Sequence, residues 1–439
     1  MPDDPPSAHT ATLSSPLTLP CGAVLPNRIA KAAMTEGLAD AEDRANERHV
    51  RLYRRWSDGG AGLLLTGNVM VDRRFLERPG NVVVDGNGGE DGLRAWAAAG
   101  TAAGNHLWMQ ISHPGRQCTR LSSARPLSPS DVQLELGGLF ARPRPMTEAD
   151  IRDVIDRYAR VAALARETGF TGVQIHGAHG YLLSQFLSPV TNRRTDAWGG
   201  PLENRARLLL EVVAATRAAV GTDYPVAVKL NSADFQRGGF SLEECVEVAG
   251  WLAEAGIDLL EISGGTYEQP RMFEHAGMAE TAEQPKREST RRREAYFLEY
   301  AQAIQARSSL PLMVTGGFRS RLAMGEALAA GETDVIGIAR PLCVDPALPR
   351  GLIEGRVERA PSWENGLRFG PGRLLGPTSP LKLIKMFNVQ GEVAWFYRQL
   401  LKLADGEEPD EDLSLRRALF AHYATELAVA RRRRFRDPD

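Results

Sequence analysis

The sequence predicts a closed (β/α)8 TIM barrel, an α/β fold, carrying a helical extension at its C-terminal end. Three observations predict it. Eight short apolar runs recur, each ending in polar residues: Ile29–Ala33, Gly62–Thr66, His106–Ile111, Gly172–Ile175, Val226–Leu230, Leu259–Ile262, Leu312–Thr315 and Val335–Ile338. Between them lie stretches of helical period, among them Glu148–Thr168, Pro201–Val220, Ser241–Glu254, Arg291–Ala306 and Arg319–Ala330. Apolar strands alternating with helices are what a parallel sheet buried on both faces requires, and eight units favour closure. Finally, no GxGxxG follows a strand and no GxxxxGK[ST] is present, so the sequence marks of open dinucleotide-binding and P-loop sheets are missing.

The elements carry their own punctuation. Thr147 precedes Glu148 and Asp150, and Ser241 precedes Glu243 and Glu244, which are helix-start signals. Glycines close the helices in ETGF, AAVG, EAGI and AAGE. Beyond Val344 the alternation stops. Residues 361–380 are rich in Gly and Pro and read as a loop draped over a surface. Glu392–Leu403 and Leu413–Arg434 then read as helices separated by the acidic break DGEEPDED. The Arg431–Arg434 run reads as a solvated helix end whose cations offset the helix dipole, rather than as a nucleic-acid contact. The expected division is a mobile tail over 1–16, a barrel over 17–350 and an extension over 351–439. That extension packs on the barrel or on a second subunit, giving a homodimer through the C-terminal helices.

Composition removes several function classes. The 439 residues carry Lys+Arg 53 against Asp+Glu 55, a formal charge of −2, with 43% hydrophobic and 25% charged residues. These are ordinary globular values, and the charge balance favours neither bulk nucleic-acid binding nor electrostatic membrane docking. No run approaches the ~18 apolar residues of a membrane helix. The N-terminal MPDDPPSAHTATLSS is acidic and lacks an apolar core, so it does not read as a signal peptide. Cys21, Cys118, Cys245 and Cys343 are widely spaced with no CxxC, which gives no support to an iron–sulfur cluster, a zinc site or a disulfide framework. A reducing cytoplasm is the expected compartment.

In such a barrel the chemistry sits at the C-terminal ends of the strands. Strand one ends in Ala33-Met34-Thr35, strand two in Thr66-Gly67-Asn68, and strand three delivers Gln110 and His113. Strand four ends in His176-Gly-Ala-His179-Gly-Tyr181, strand five gives Lys229, and strand six Ser263-Gly264-Gly265. Strand seven gives Thr315-Gly316-Gly317 and strand eight Ala339-Arg340. Glycine backbone and an arginine after strands seven and eight suit a phosphate, although Gly316-Gly317 also suits a plain tight turn. His176 and His179 suit donors to a carbonyl or nitro oxygen better than metal ligands, since no third ligand lies at usable spacing. Tyr181 can act as a proton donor or as a packing aromatic.

Together NRIAKAAMT, WMQISHPGRQ, VQIHGAHGYLLSQFLSP with TNRRTDAWGGPLENR, VAVKLNSADF, TGGF and IGIARPL resemble the Old Yellow Enzyme family of flavin oxidoreductases, from about Leu17 to Asp345. The resemblance implies non-covalent FMN at the barrel mouth and NADH or NADPH as hydride donor. It implies that Ala33, Met34 and Thr35 line the flavin, with Thr35 near its O4, and that Asn68 lies near the ring. Gln110 would read the pyrimidine edge, and Lys229, where many members have Arg, would lie beside N1 and O2. Gly316 and Gly317 with Ala339 and Arg340 would hold the phosphate. His176 and His179 would bind the substrate oxygen, and Tyr181 would supply the proton. Thr35 replaces the cysteine of some bacterial members, and Gly37 a substrate-stacking tyrosine. The closely spaced Cys set of the larger iron–sulfur relatives is not found, nor is a dinucleotide fingerprint in the tail. Residues 271–290 form a polar insertion without a counterpart, which reads as a lid or specificity loop. The expected function is reduction of the activated C=C bond of an enone or nitroalkene by a ping-pong mechanism. A phosphate-binding barrel enzyme using Lys229 as a Schiff-base lysine, and a flavin-binding protein without turnover, are the competing readings.

Overall fold

The computed structural model describes residues 11–135, 138–263 and 298–433. Eight parallel strands close into a barrel: β1 (Ile29–Lys31), β2 (Leu63–Met70), β3 (His106–Ser112), β4 (Gly172–Gly177), β5 (Val226–Asn231), β6 (Leu259–Ser263), β7 (Leu312–Thr315) and β8 (Val335–Ile338). Neighbours in sequence are neighbours in space, and β8 pairs with β1 through Gly337 and Ala30 to complete the ring. All eight fall on the apolar runs, because a strand covered on both faces has no polar alternation to obscure it.

Side-chain parity separates two cores. Leu64, Met109, Ile111, Val173, Ile175, Val228, Leu260 and Val314 join the large cluster formed with the surrounding helices. The alternate residues Ala30, Leu63, Leu65, Trp108, Ala227, Leu259, Met313 and Val335 form a separate apolar plug. These are the inward positions of the lower barrel. Two residues further along each strand the same parity reaches Gln110, Lys229, Glu261, Thr315 and Gly337. The next step reaches Ser112, Asn231, Ser263 and Ala339. The barrel interior therefore changes from dry to polar toward the C-terminal ends.

The helices are α1 (Glu47–Asp58), α2 (Glu90–Gly100), α3 (Glu148–Glu167), α4 (Leu182–Leu187), α5 (Leu202–Val220), α6 (Leu242–Glu254), α7 (Leu298–Gln305), α8 (Arg321–Ala329) and α9 (Leu348–Ile353). The expected capping boxes form at Thr147 with Asp150 and at Ser241 with Glu244. The stretch 291–297, expected to open α7, lies outside the described residues, as does the insertion 271–290. No described helix is long and apolar enough to cross a membrane.

Three expectations need correction. Strand two does not stop at Thr66: it continues to Met70 past a register shift between Leu65 and Asn68. A bulge of this kind re-aims the following side chain, here Asn68, and such irregularities concentrate near active sites. The first C-terminal helix starts ten residues early. After a short turn, α10 (Gly372–Leu375), it runs as α11 over Lys382–Asp405. Gly391 sits in its middle because a Cβ there would lie 2.6 Å from Leu415 of α12 (Leu415–Arg432), a close approach that only glycine allows. The arginine run is not merely solvated, since the Arg433 side chain makes a forked pair with Asp43, at 2.8 Å, and donates to the Arg73 carbonyl.

The extension packs on the barrel. Arg48 pairs with Asp405 at 2.7 Å, joining α1 to the end of α11. Arg78, in the loop after β2, pairs with Glu426 at 2.5 Å and lies over the Tyr397 ring at 4.2 Å. Arg340 pairs with Glu392 at 2.7 Å. The two helices thus wall the mouth beside β1, β2 and β8. Of the expected mobile tail, residues 1–10 lie outside the described residues. Leu13 is buried, and its carbonyl accepts the Arg28 N–H at 2.9 Å, so the packed structure begins before residue 17.

Candidate active site

The inward polar residues of β3 to β6 form one connected chain. Gln110 Nε2 donates to Gln174 Oε1 at 2.7 Å, and Gln174 Nε2 donates to Glu261 Oε2 at 2.7 Å. The other Glu261 oxygen lies 2.8 Å from Lys229 Nζ. All four side chains are buried. The expected cation at the end of β5 is therefore balanced by a carboxylate on β6. Neither Gln174 nor Glu261 was among the expected site residues. The available signal was a lone polar residue within an apolar strand, in VQIH and in LLEIS.

The turn after β4 carries the second group. The His176 and His179 ring centroids are 5.1 Å apart, and His176 and Tyr181 4.7 Å apart, both edge-on. His176 Nδ1 accepts the Ala178 N–H at 3.4 Å, which places the ring proton on Nε2 as an available donor. His179 adopts a left-handed backbone with φ of 61°, uncommon outside glycine. Two contacts hold it there: its N–H donates to Asn231 Oδ1 at 2.9 Å, and its carbonyl accepts from Gln117 Nε2 at 3.1 Å. Its Nε2 lies 2.8 Å from Ser263 Oγ. Tyr181 is the N-cap residue of α4 and is buried. Asn231, Gln117 and Ser263 thus position this turn; Ser263 was named at the end of strand six, but Asn231 and Gln117 were missed.

At the ends of β1 and β2, Thr35 Oγ1 donates to Glu77 Oε2 at 2.8 Å, and Asn68 Nδ2 donates to the same oxygen at 2.6 Å. Met34 is packed against Cys343, with the sulfurs 3.5 Å apart. Ala33 packs against the inner plug together with Ala339. Gly316 and Gly317 have φ of 125° and 80°, conformations that suit glycine and turn the chain sharply after β7. Arg340 opens the turn after β8, next to that bend in the barrel order. The strand ends thus gather every expected site residue around one mouth.

Burial governs the electrostatics. His176 and His179 are both held well below the ordinary histidine pKa, first by burial and then by the Lys229 charge. Both are neutral at physiological pH and offer N–H groups without carrying charge. His113 is lowered to about 4 and His49 to about 3, again chiefly by burial. The unfolded chain takes up protons on these groups near the ordinary value of ~6.5 while the folded chain does not. Their stability contribution is therefore complete above about pH 6.5 and falls as the pH drops toward 4. Thermal melts at fixed ionic strength should show that decline, with a shallower slope in His49→Asn. An unchanged slope in that variant would contradict the assignment.

Buried polar atoms at the mouth without a hydrogen-bond partner among the described residues include Asn68 Oδ1 on β2, Ser112 Oγ on β3 and Thr315 Oγ1 on β7. Buried polar atoms are rarely left so, and these atoms fit a polar ligand across the mouth. A planar imide edge over Gln110 and Lys229, with an anion at Gly316, Gly317 and Arg340, would suit the remaining donors. The residues present fit FMN.

Comparison with known proteins gives a consistent result. The family model described as NADH:flavin oxidoreductase / NADH oxidase matches residues 12–359. An NADH-dependent flavin oxidoreductase of Talaromyces variabilis is 37% identical over 422 residues, spanning 89% of this chain and 98% of that protein. Another from Neonectria sp. (strain DH2) is 40% identical over 373 residues, or 80% of this chain. The chain spans only 48% of that protein's length. Among solved structures, a 2-naphthoyl-CoA reductase complexed with 2-naphthoyl-CoA superposes with a TM-score of 0.71 at 28% identity, covering 80% of this chain and 53% of that one. An old yellow enzyme homologue from Zymomonas mobilis shares the fold, with a TM-score of 0.66 at 24% identity over 79% of this chain and 94% of that one.

Proposed function

The chain belongs to the NADH:flavin oxidoreductase / NADH oxidase family, and from that premise we propose that it is an FMN-dependent oxidoreductase taking hydride from NADH or NADPH. The acceptor in this reading is the activated C=C bond of an α,β-unsaturated carbonyl or nitro compound, which uses the site after the nicotinamide has left. The observation that carries it is the grouping of His176, His179 and Tyr181 on one turn of the barrel mouth, across from the Gln110–Lys229 chain.

FMN bound there would accept hydride from the nicotinamide and return it to an electron-poor carbon. The protein's part is to hold and polarise. Gln110 and Lys229 bind the pyrimidine edge, and Gly316, Gly317 and Arg340 bind the phosphate. His176 and His179 donate to the substrate oxygen and thereby draw charge toward it as the β-carbon gains hydride. Tyr181, buried against His176, delivers the proton to the α-carbon.

A Schiff-base role for Lys229 is disfavoured by its position, because the amine is buried and committed to Glu261. A Schiff-base lysine needs its amine free to reach a carbonyl carbon, whereas this one is engaged by a carboxylate at 2.8 Å. Self-association through the C-terminal helices is supported by Phe420, Tyr423 and Leu427, which expose one apolar stripe on α12.

Anaerobic mixing tests the reading. The purified protein should be yellow, bleach with NADH or NADPH, and recover its colour with an enone, a quinone or a nitroalkene. A colourless protein that takes up no FMN would overturn it. So would a flavoprotein that neither nicotinamide reduces.

A further inference from the structure

Glu261 is a buried acid of the mouth to which the proposed flavin chemistry gives no task. Glu261 is fully buried on β6, with one oxygen on Lys229 and the other on Gln174. The Gln174 side chain reaches it by passing the intervening strand at Ala227, whose small side chain leaves the inner face open.

As the carboxylate partner of the Lys229 ion pair, Glu261 offers acceptor oxygens. It therefore fixes the amide of Gln174 with its NH2 toward Glu261. That leaves the Gln174 carbonyl oxygen for Gln110, which in turn must offer its own NH2 to Gln174. Reversing Gln174 would set its carbonyl oxygen against the carboxylate and lose both bonds, and reversing Gln110 would set two carbonyl oxygens against each other and lose the bond between the glutamines. The two glutamines, which in isolation could point either way, are locked into one polarity by a single charge three strands away from Gln110. The locked Gln110 keeps its carbonyl oxygen and one N–H for a ligand. A ring edge in which an N–H lies next to a carbonyl oxygen matches that pair.

We propose that Glu261 is a positioning residue that sets the hydrogen-bond polarity of Gln110 through Gln174 and balances the charge of Lys229, so that the mouth selects an imide-type ring edge. The assignment deepens the flavin reading and rests on it. The two arms of the carboxylate have separate consequences. The Gln174 arm acts on recognition, because it orients the amide that meets the ring. The Lys229 arm acts on redox poise, because an unbalanced ammonium beside the ring would favour its reduced, more negative form.

The test measures FMN affinity of the apoprotein by fluorescence titration and the midpoint potential of bound FMN by dye equilibration. Glu261→Gln should weaken FMN binding by roughly tenfold or more, as expected for a misoriented hydrogen bond, and shift the midpoint positive. Lys229→Met should shift the midpoint negative. Opposite shifts from the two halves of one ion pair are not produced by a purely structural role. Gln174→Met, which keeps the ion pair, should weaken FMN binding with little change in potential. It also serves as the test if Glu261→Gln fails to fold. Wild-type affinity in Gln174→Met would overturn the relay, and an unmoved midpoint in folded Glu261→Gln would overturn the charge balance. Failure of the wild-type apoprotein to bind FMN would instead overturn the flavin reading itself.

Discussion

Tyr181→Phe is expected to slow enone reduction by the reduced enzyme by roughly 10²–10⁴, the usual worth of a positioned general acid, while reduction by NAD(P)H stays near the wild-type rate. Hydride arriving at the β-carbon leaves the α-carbon basic, and that carbon needs a proton. Tyr181 caps α4 two residues beyond His179 and packs edge-on against His176, beside the place proposed for the substrate oxygen. A phenol whose ordinary pKa is ~10 remains protonated at neutral pH and can act as the acid at once. Removing its hydroxyl leaves the ring packing in place, so the fold and the flavin should be kept. Nitroalkenes should be affected less, because a nitronate can leave and be protonated in water. Stopped-flow traces of the two half-reactions check this. Equal slowing of both would indicate a structural role, and full-speed enone reduction would move the proton source elsewhere.

His176→Ala and His179→Ala should each lower enone turnover by on the order of 10²–10³, the loss seen when one oxyanion donor is removed, with FMN retained. The two histidines are not equivalent in their surroundings. His176 has Nε2 as an available donor, whereas His179 Nε2 is shared with Ser263 and its backbone is held in a left-handed turn. His179→Ala therefore also loosens the turn that positions Tyr181. Its effect should extend to nitroalkene turnover and to binding of phenolic charge-transfer ligands. Because both rings are kept neutral by burial, the acceptor half-reaction should not vary with histidine protonation between pH 6 and 8. Wild-type turnover in either variant, or a fall in rate that tracks a histidine titration in that range, would contradict these roles.

The barrel and its mouth were legible in the sequence for a physical reason. Parallel strands buried on both faces appear as apolar runs, and the topology places their C-terminal ends together whatever the loops do. The candidate site residues are therefore the polar residues just beyond each run. Pairing, by contrast, could not be read. Nothing in LLEIS says that Glu261 faces Lys229, 32 positions earlier, or Gln174, 87 positions earlier. Glu77, which takes the Thr35 and Asn68 hydrogen bonds, lies in a loop with no periodicity to fix its direction. Gly391 obscured the early start of α11, since its tolerance depends on Leu415 of another helix. Arg433 looked like a solvated cation because its partner, Asp43, sits 390 residues away in the loop after β1.

Initial-rate kinetics with both substrates varied test the central claim most directly. One mouth that serves the nicotinamide and the acceptor in turn predicts parallel double-reciprocal lines when NADH or NADPH is varied at several fixed enone concentrations. It also predicts inhibition by the acceptor that is competitive with the nicotinamide. Lines that intersect to the left of the axis, with both substrates bound at once, would contradict a single shared site.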